Sequence, residues 1–240
     1  MTRPIRLLAA SCVGGIAVLF LVLGTVGWAA GGHKVVTLEQ ARIFIEYNST
    51  DNDLGFHVFL DGEDWTKLKI VNPKGRRVFD VEGKGPYKLG ITELFFEGAE
   101  PSLDDFPLDR LLALFPEGHY SFAGKYANGD GLRGTATLTH AIPDGPSDVS
   151  AVLGGNNSLV ISWKPVTGSP EDFPQRPIRI VGYQVLVDEL FDVKLPASST
   201  SVTVPPELVA ALESGEHKFE VLAIEEGGNQ SITEDTFMIP

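Results

Sequence analysis

Cysteine is almost absent from this chain of 240 residues, which contains only Cys12. Cys12 lies in an uncharged N-terminal stretch, so the rest of the chain has no thiol for a disulfide or for a thiolate zinc site. A fold without such links depends on hydrophobic cores of ordinary size. With 43% hydrophobic residues, the chain is able to build one large core or two ordinary ones.

Recognisable catalytic and metal-binding motifs are also missing. The sequence contains no His-Glu-x-x-His, no Gly-x-Ser-x-Gly and no phosphate-binding loop. No histidine has a second ligand residue at the spacing that a metal site on a helix needs. We therefore expect His57, His119 and His140 to be ordinary strand residues, and the sequence predicts no cofactor apart from a weak calcium candidate.

Positive charge is scarce. The chain has 19 Lys and Arg against 32 Asp and Glu, which gives a formal net charge of −13. An acidic surface disfavours nucleic acid and anionic lipid as partners. It is compatible with a protein or glycan partner, although such charge usually serves solubility.

The N-terminus has the pattern of an export signal. Arg3 and Arg6 precede an uncharged run from Leu7 to Gly32, and small residues follow near Ala29 and Ala30. We predict that residues 1–30 are a cleaved signal peptide. The alternative is an uncleaved anchor, with membrane contact only through residues 7–30. Either way we predict an extracytoplasmic location: secreted or periplasmic, or anchored to the membrane.

From about residue 34 onward, short alternating runs predict β-strands. Examples are ARIFIEY (41–47), GFHVFL (55–60) and WTKLKIV (65–71). Clusters that favour turns separate the runs, among them NSTDND, DGED, NPKG, EGKGP and NGDG. This pattern is typical of β-sandwiches.

One segment has a helical period instead. In PLDRLLALFP (107–116), Leu108, Leu111, Leu112 and Phe115 recur on one face. Pro107 suits the first turn of a helix. We predict one short helix near 107–115 that caps the first sandwich.

A change of composition in HAIPDGPSDV (140–149) marks a predicted domain boundary. The sequence thus predicts an all-β protein with two tandem sandwich domains, residues 34–141 and 145–240, after the N-terminal segment.

The second domain has a clear predicted core. Leu159, Ile161 and Trp163 share one face of LVISWKPV, and burial of a large aromatic contributes several kcal/mol, about 3–5 by truncation. The residues that we expect to form this core with Trp163 are Tyr183, Val185, Phe219 and Val221.

These motifs resemble those of fibronectin type III domains. GPSDVSAV is similar to the family's first strand, LVISWKPV to its tryptophan strand, VGYQVLV to its tyrosine-bearing strand, and SGEHKFEVLAIEEGGNQS to its penultimate strand and loop. The resemblance covers residues 145–240 and implies a sandwich of two antiparallel sheets, not an activity. The family usually has a tyrosine where His217 stands, the "tyrosine corner", and His217 is expected to keep a hydrogen bond there through a ring nitrogen.

The first domain has a weaker resemblance. PEGHYSFAG (116–124) is similar to the Pro-x-Gly-x-Tyr entry into a late strand of bacterial immunoglobulin-like modules. The combination with an export signal resembles bacterial exported proteins that carry one fibronectin type III domain. This implies an architecture and a compartment.

In a sandwich of this kind, the loop after the tryptophan strand and the loop after the penultimate strand lie at one end. We predict a recognition tip there, with Phe173 as an exposed aromatic anchor and a polar rim. The alternative is that both loops are solvated connectors. The predicted tip residues are Asp172, Phe173, Arg176, Glu225, Glu226 and Asn229.

Two acidic segments are weaker candidates. Asp51 and Asp53 in NSTDNDLG would offer oxygen ligands to calcium, although a solvated turn explains them better. Glu93 and Glu97 in TELFFEG would suit an acid pair of the kind glycosidases use, although the polar side of a strand explains them better.

Taken together, the residues favour a non-catalytic, extracytoplasmic binding, adhesion or scaffolding module. A carbohydrate-active enzyme or its accessory domain is the first alternative and predicts a deep pocket with desolvated carboxylates. A structural spacer is the second and predicts no exposed apolar patch at either end.

Overall fold

The structure, a computed structural model, describes residues 33–188 and 190–240. The predicted signal or anchor segment, residues 1–30, lies outside the described residues. Of the helices that the structure describes, none has the length and apolar character needed to cross a bilayer.

The prediction of an all-β fold is confirmed. Residues 33–141 form a first lobe around one hydrophobic core, and residues 145–240 form a second lobe around another. The strands of the first lobe are β1 (Val35–Thr37), β2 (Gln40–Asn48), β3 (Asp53–Val71), β4 (Arg77–Glu82), β5 (Ile91–Glu97), β6 (Gly118–Tyr126) and β7 (Gly131–Leu138). Those of the second lobe are β8 (Ser147–Leu153), β9 (Leu159–Lys164), β10 (Ile180–Val187), β11 (Phe191–Pro196), β12 (Ser201–Val204), β13 (Gly215–Glu225) and β14 (Gln230–Ile239).

Strand β3 organises the first lobe. Its first half pairs with β2 on one side and β5 on the other, whereas its second half pairs with β4 and β6. The pairing with β5 shifts register between Asp61 and Trp65, where the strand passes from one set of neighbours to the other. The prediction of a turn at DGED (61–64) is therefore wrong. The segment stays extended because Asp61 and Trp65 on either side of it are paired with neighbouring strands, and Gly62 allows the side chain of Leu38 to approach the strand.

The predicted short helix is present as α1 (Leu108–Leu114). Leu111 and Leu112 are buried in the first core. The Phe115 ring that follows stacks on Phe56, with 4.3 Å between the ring centroids. The helix therefore covers the first lobe with the apolar face that its period predicts.

The second lobe is a sandwich of three strands against four. Strands β12, β9 and β8 form one sheet, and β14, β13, β10 and β11 lie side by side in the other. A one-turn helix, α2 (Pro206–Val209), joins β12 to β13 and has no counterpart in the sequence analysis. Trp163 is 4% exposed and packs on Tyr183 at 5.3 Å between ring centroids. The other expected core residues, Val185, Phe219 and Val221, are buried as well.

His217 occupies the expected corner position. Its Nε2 bonds to the carbonyl oxygen of Glu213 at 2.7 Å, and its Nδ1 bonds to the carboxylate of Asp188 at 2.7 Å. These acceptors on both ring nitrogens favour the protonated imidazolium. The pKa of His217 is accordingly raised, first by the hydrogen bond to the Glu213 backbone and then by the hydrogen bond to Asp188.

The two lobes share a sheet, which the sequence did not predict. Residues 230–232 of β14 pair in parallel with residues 46–48 of β2, so that the sheets of both lobes become one continuous path. Residues 33–240 accordingly form a single compact unit. We call the β2–β14 pairing and the side chains that surround it the seam.

Candidate functional site

The residues of the predicted recognition tip lie at the seam, and half of them are buried. Phe173 is 8% exposed and packs on Tyr47 of the first lobe, with 4.7 Å between the ring centroids. Glu225 and Asn229 are 4% and 1% exposed. The prediction of an exposed aromatic anchor is therefore wrong, because the long loop after β9 folds back onto the first lobe. Asp172, Arg176 and Glu226 remain exposed.

Asn229 is the central polar residue of the seam. Its Oδ1 accepts a hydrogen bond from the backbone N–H of Ile45 at 2.9 Å. Its Nδ2 donates to the carbonyl oxygens of Thr139 and Ala141 at 2.9 and 3.1 Å. One buried amide thus satisfies backbone groups of the first lobe and of the segment that follows it. The seam is therefore held by defined hydrogen bonds as well as by apolar contacts.

The two acidic candidates are placed within ordinary β structure. The backbone N–H of Asp51 donates to the side chain of Asn48, and Asp53 begins β3, where it pairs with Asn48. Glu93 and Glu97 lie on β5 opposite Asp61 and His57. Neither pair brings together three possible metal ligands among the described residues, so calcium at Asp51 and Asp53 stays a prediction.

A different cluster does bring three ligand-type side chains together. Glu46 of β2, His57 of β3 and Glu100 after β5 each offer one ligand atom, and these atoms lie within 4.8 Å of one another. We call this the His57 cluster. His57 Nε2 is 3.4 Å from a carboxylate oxygen of Glu100. Strand pairing sets this geometry, because Phe44 lies opposite His57 and Glu46 lies opposite Gly55 in the β2–β3 register.

Each member of the His57 cluster is held by its neighbours. The His57 ring is 3% exposed and stacks on Phe44 at 5.0 Å. The Glu100 side chain lies over Gly55, where a Cβ atom would stand only 2.7 Å from Glu100 Cγ. The Glu46 carboxylate accepts a hydrogen bond from the Gln230 amide of β14, so the cluster borders the seam.

The pKa values of all three members of the His57 cluster are shifted from their usual values. Burial raises the pKa of Glu46, against a lowering by the Gln230 hydrogen bond. Burial, followed by the charges of Glu97 and Asp53, raises the pKa of Glu100 to about 7. Burial lowers the pKa of His57, against a raising by the charges of Glu46 and Glu97. Perturbed groups of this kind are typical of functional sites, although structural clusters also show them.

A second candidate is a surface rather than a cluster. Residues 85–89 form a short 3₁₀ helix between β4 and β5, in which Tyr87 is 63% and Leu89 81% exposed. Backbone hydrogen bonds from Tyr87 to Lys84 and from Gly90 to Tyr87 hold this turn. Two large apolar side chains so close together on a held turn form a candidate contact surface. We call it the 85–89 turn.

Sequence reasoning missed the His57 cluster for an identifiable reason. Its members come from three separate segments, and His57 was interpreted as an ordinary strand residue. The turn cluster NSTDND between two alternating runs does predict a β2–β3 hairpin, and the hairpin register alone brings Glu46 near His57. The approach of Glu100 needed the tertiary structure.

No protein-family model matches this chain, and no curated protein matches it. Among solved structures, the chain is similar to the spore cortex lytic enzyme SleM of Clostridium perfringens, at 20% identity and a TM-score of 0.33 over 40% of this chain and 28% of that one. It is similar to a tetra-tandem repeat from the extending region of a large adhesion protein, at 11% identity and a TM-score of 0.27 over 84% of this chain and 50% of that one. It is similar to the BSP domain of a biofilm-associated protein, at 18% identity and a TM-score of 0.24 over 85% of this chain and 30% of that one. The chain thus spans half or less of each protein, and with these TM-scores the similarities do not identify a function.

Proposed function

We propose that this protein is a non-catalytic binding or scaffolding module that works outside the cytoplasm and contacts a protein or glycan at the cell envelope. The observation that carries the proposal is the 85–89 turn, which presents Tyr87 and Leu89 to solvent. A plain spacer has no need of such a surface. Aromatic side chains in particular are common energetic centres of interfaces.

The seam supports the same proposal, because a binding surface is most effective on a rigid frame. Main-chain pairing of β2 with β14, the Asn229 hydrogen bonds and the Phe173–Tyr47 contact all resist relative movement of the lobes. Less conformational freedom is then lost when a partner binds.

The stretch of sequence around the turn is locally basic. Residues 67–88 contain seven of the 19 basic residues but only two acids, Asp80 and Glu82, in a chain whose net charge is −13. The strand register places Lys67 at the same end of the β3–β4 hairpin as the turn and Arg77 at the other end. Asp64 lies against Gly90 and Glu82 pairs with Lys84, so the charge beside the turn is mixed and the contact would depend on Tyr87 and Leu89. The basic residues are Lys67, Lys69, Lys74, Arg76, Arg77, Lys84 and Lys88.

The second lobe has features that a resemblance to fibronectin type III domains implies, and such a lobe suits a structural role in the proposed module. Its three-on-four strand arrangement, the buried Trp163 and the corner at His217 are the features that the resemblance implies. We infer that this lobe is a structural partner that fixes the first lobe through the seam.

The test is co-sedimentation of the purified full-length chain with isolated cell envelopes of its source organism. The double substitution Tyr87→Ser and Leu89→Ser should reduce binding by about 10-fold or more, because each exposed contact residue of an interface contributes on the order of 1 kcal/mol. The matched control is Val152→Ser with Met238→Ser, which changes two side chains of similar exposure on the second lobe.

Other outcomes would overturn the proposal. Unaltered binding by the Tyr87 and Leu89 variant would remove the 85–89 turn as the contact surface. Failure of the wild-type chain to sediment would favour a spacer. Release of soluble sugar from the envelopes, abolished by Glu100→Gln, would favour a carbohydrate-active enzyme.

A further inference from the structure

The His57 cluster gathers carboxyl groups that no basic side chain balances. Glu46 and Glu100 each place a carboxylate oxygen within 4.8 Å of a His57 ring nitrogen, and Glu97 lies close enough to hydrogen-bond to Glu100. Among the described residues, no Lys or Arg forms an ion pair with any of these three acids. Carboxyl groups gathered in this way either hold a proton or coordinate a metal ion.

The positions of the ligand atoms fit a small metal ion. Zinc lies about 2.0–2.2 Å from imidazole nitrogen and carboxylate oxygen, so tetrahedral ligands are separated by about 3.3–3.5 Å. The distance of 3.4 Å between His57 Nε2 and the Glu100 oxygen matches this separation. The remaining separations are at most 4.8 Å, so binding requires side-chain rotation of Glu46 and Glu100, neither of which is fully buried.

The cluster is also built to keep its shape. The ring of His57 is fixed between Phe44 and Phe95, whose centroids lie 5.0 and 5.9 Å away. Gly55 leaves open the space that Glu100 occupies. A buried imidazole directed between two carboxylates, with room made for one of them by a glycine, is more than a group of surface acids.

We propose that Glu46, His57 and Glu100 bind one divalent transition-metal ion, for which Zn²⁺ is the best fit. Imidazole nitrogen together with carboxylate oxygen suits zinc and its neighbours in the first transition row. Calcium and magnesium prefer oxygen ligands alone, and in larger numbers than this cluster offers. Water or Glu97 would complete the coordination.

The site would have a structural consequence because it borders the seam. The Gln230 amide of β14 holds Glu46, so the ligand that the first lobe contributes is oriented by the second. An ion bound here would connect β2, β3 and the end of β5 at the edge where the lobes meet. Metal binding then stabilises the folded chain by an amount that rises with the logarithm of the free metal concentration once this exceeds the Kd. This inference does not depend on the identity of any envelope partner.

The experiment is titration of the untagged, chelator-treated full-length chain with ZnCl₂ by isothermal calorimetry, with CaCl₂ and MgCl₂ as parallel titrants. We expect one Zn²⁺ per chain and much weaker heats with the other two ions. Glu100→Gln should weaken zinc binding by more than about 10-fold, the loss that substitutions outside the ligand shell already cause. Glu93→Gln, an exposed glutamate on β5, is the matched control and should leave the affinity unchanged.

A spectroscopic readout keeps the proposal testable if a variant folds poorly. Addition of Zn²⁺ to the wild-type chain should shift the imidazole resonances of His57 in an NMR spectrum and leave those of His119 in place. Stoichiometric zinc binding that depends on Glu100 supports the proposal. The absence of zinc binding, binding that Glu100→Gln does not change, or a shift of His119 in place of His57 overturns it.

Discussion

The two lobes solve the same packing problem in different ways. The second lobe is a regular sandwich in which short strands divide into a sheet of three and a row of four around Trp163. The first lobe depends on one strand of 19 residues, β3, that pairs with four neighbours in turn. The regular lobe has the stronger sequence signals. The irregular lobe contains both candidate sites, the His57 cluster and the 85–89 turn.

Their charges differ as well. Residues 145–240 contain 14 acidic and 5 basic residues, a formal charge of −9, whereas residues 33–144 contain 18 acidic and 12 basic residues, a formal charge of −6. Seven of the 12 basic residues of the first lobe lie between residues 67 and 88. Under the proposed function, the second lobe is the frame and the first lobe presents the contact surface.

The largest expected effect is on the core of the regular lobe. Trp163→Ala should lower the free energy of unfolding by about 3–5 kcal/mol, because it removes a buried aromatic between two sheets. Since the seam joins the lobes, we expect urea unfolding followed by circular dichroism to coincide with unfolding followed by the fluorescence of Trp65, which is buried in the first lobe.

The control for this variant is Val152→Ala on the same lobe. Val152 is 62% exposed, so its truncation should change stability by less than about 0.5 kcal/mol. Two separated transitions in Trp163→Ala would contradict a cooperative seam and would make the lobes independent domains, as the sequence predicted.

A somewhat smaller effect is expected at the seam. Phe173→Ala should cost about 3 kcal/mol, at the low end for a buried phenylalanine, because the loop around it has some freedom to collapse. Urea denaturation measures the change, and Asp172→Ala provides the exposed neighbour as control. If both variants unfold like the wild type, Phe173 is a solvated residue and its contact with Tyr47 contributes no stability.

The smallest effect is a dependence on pH at the corner of the second lobe. Because the pKa of His217 is raised in the folded chain, its stabilising contribution is fully present below the unfolded value of about 6.5 and is lost as the pH rises through the folded value. Thermal unfolding at about pH 5 and about pH 8 should therefore show a stability difference that His217→Tyr reduces, since tyrosine keeps a hydrogen bond to Glu213 without titrating in this range.

The variant Asp188→Asn sharpens this test. It removes the carboxylate that bonds to His217 Nδ1 at 2.7 Å and should reduce the pH dependence in part, because the Glu213 carbonyl still favours the imidazolium. An unchanged pH dependence in both variants would show that other groups cause it.

Much of the secondary structure could be predicted because its signals are local. Alternation predicts which side chains of a strand face inward, and Trp163, Tyr183 and Phe219 are all buried on the expected faces. The period of Leu111 and Leu112 predicts α1 in the same way. At DGED the local signal failed, because the pairing of Asp61 and Trp65 with neighbouring strands overrides the turn preference of the residues between them.

The candidate sites show the limit of local patterns. His57 follows the alternation of GFHVFL as an outward residue, yet side chains from two other strands bury it. Phe173 was expected at an exposed tip because sandwich topology places its loop at one end of the lobe, and it packs instead on Tyr47, far away in the sequence. Long-range pairing of this kind has no local signature.

By itself, the sequence determined an all-β chain without structural disulfides, the inward faces of its strands, the short helix and the corner at His217. Each of these depends on a hydrophobic period or on a side chain and its near neighbours. Only the tertiary structure decided that β3 continues through both halves of the first lobe, that the lobes share a sheet, and that Glu46, His57 and Glu100 meet. These depend on which distant segments become neighbours, and that is set by the packing of the whole chain.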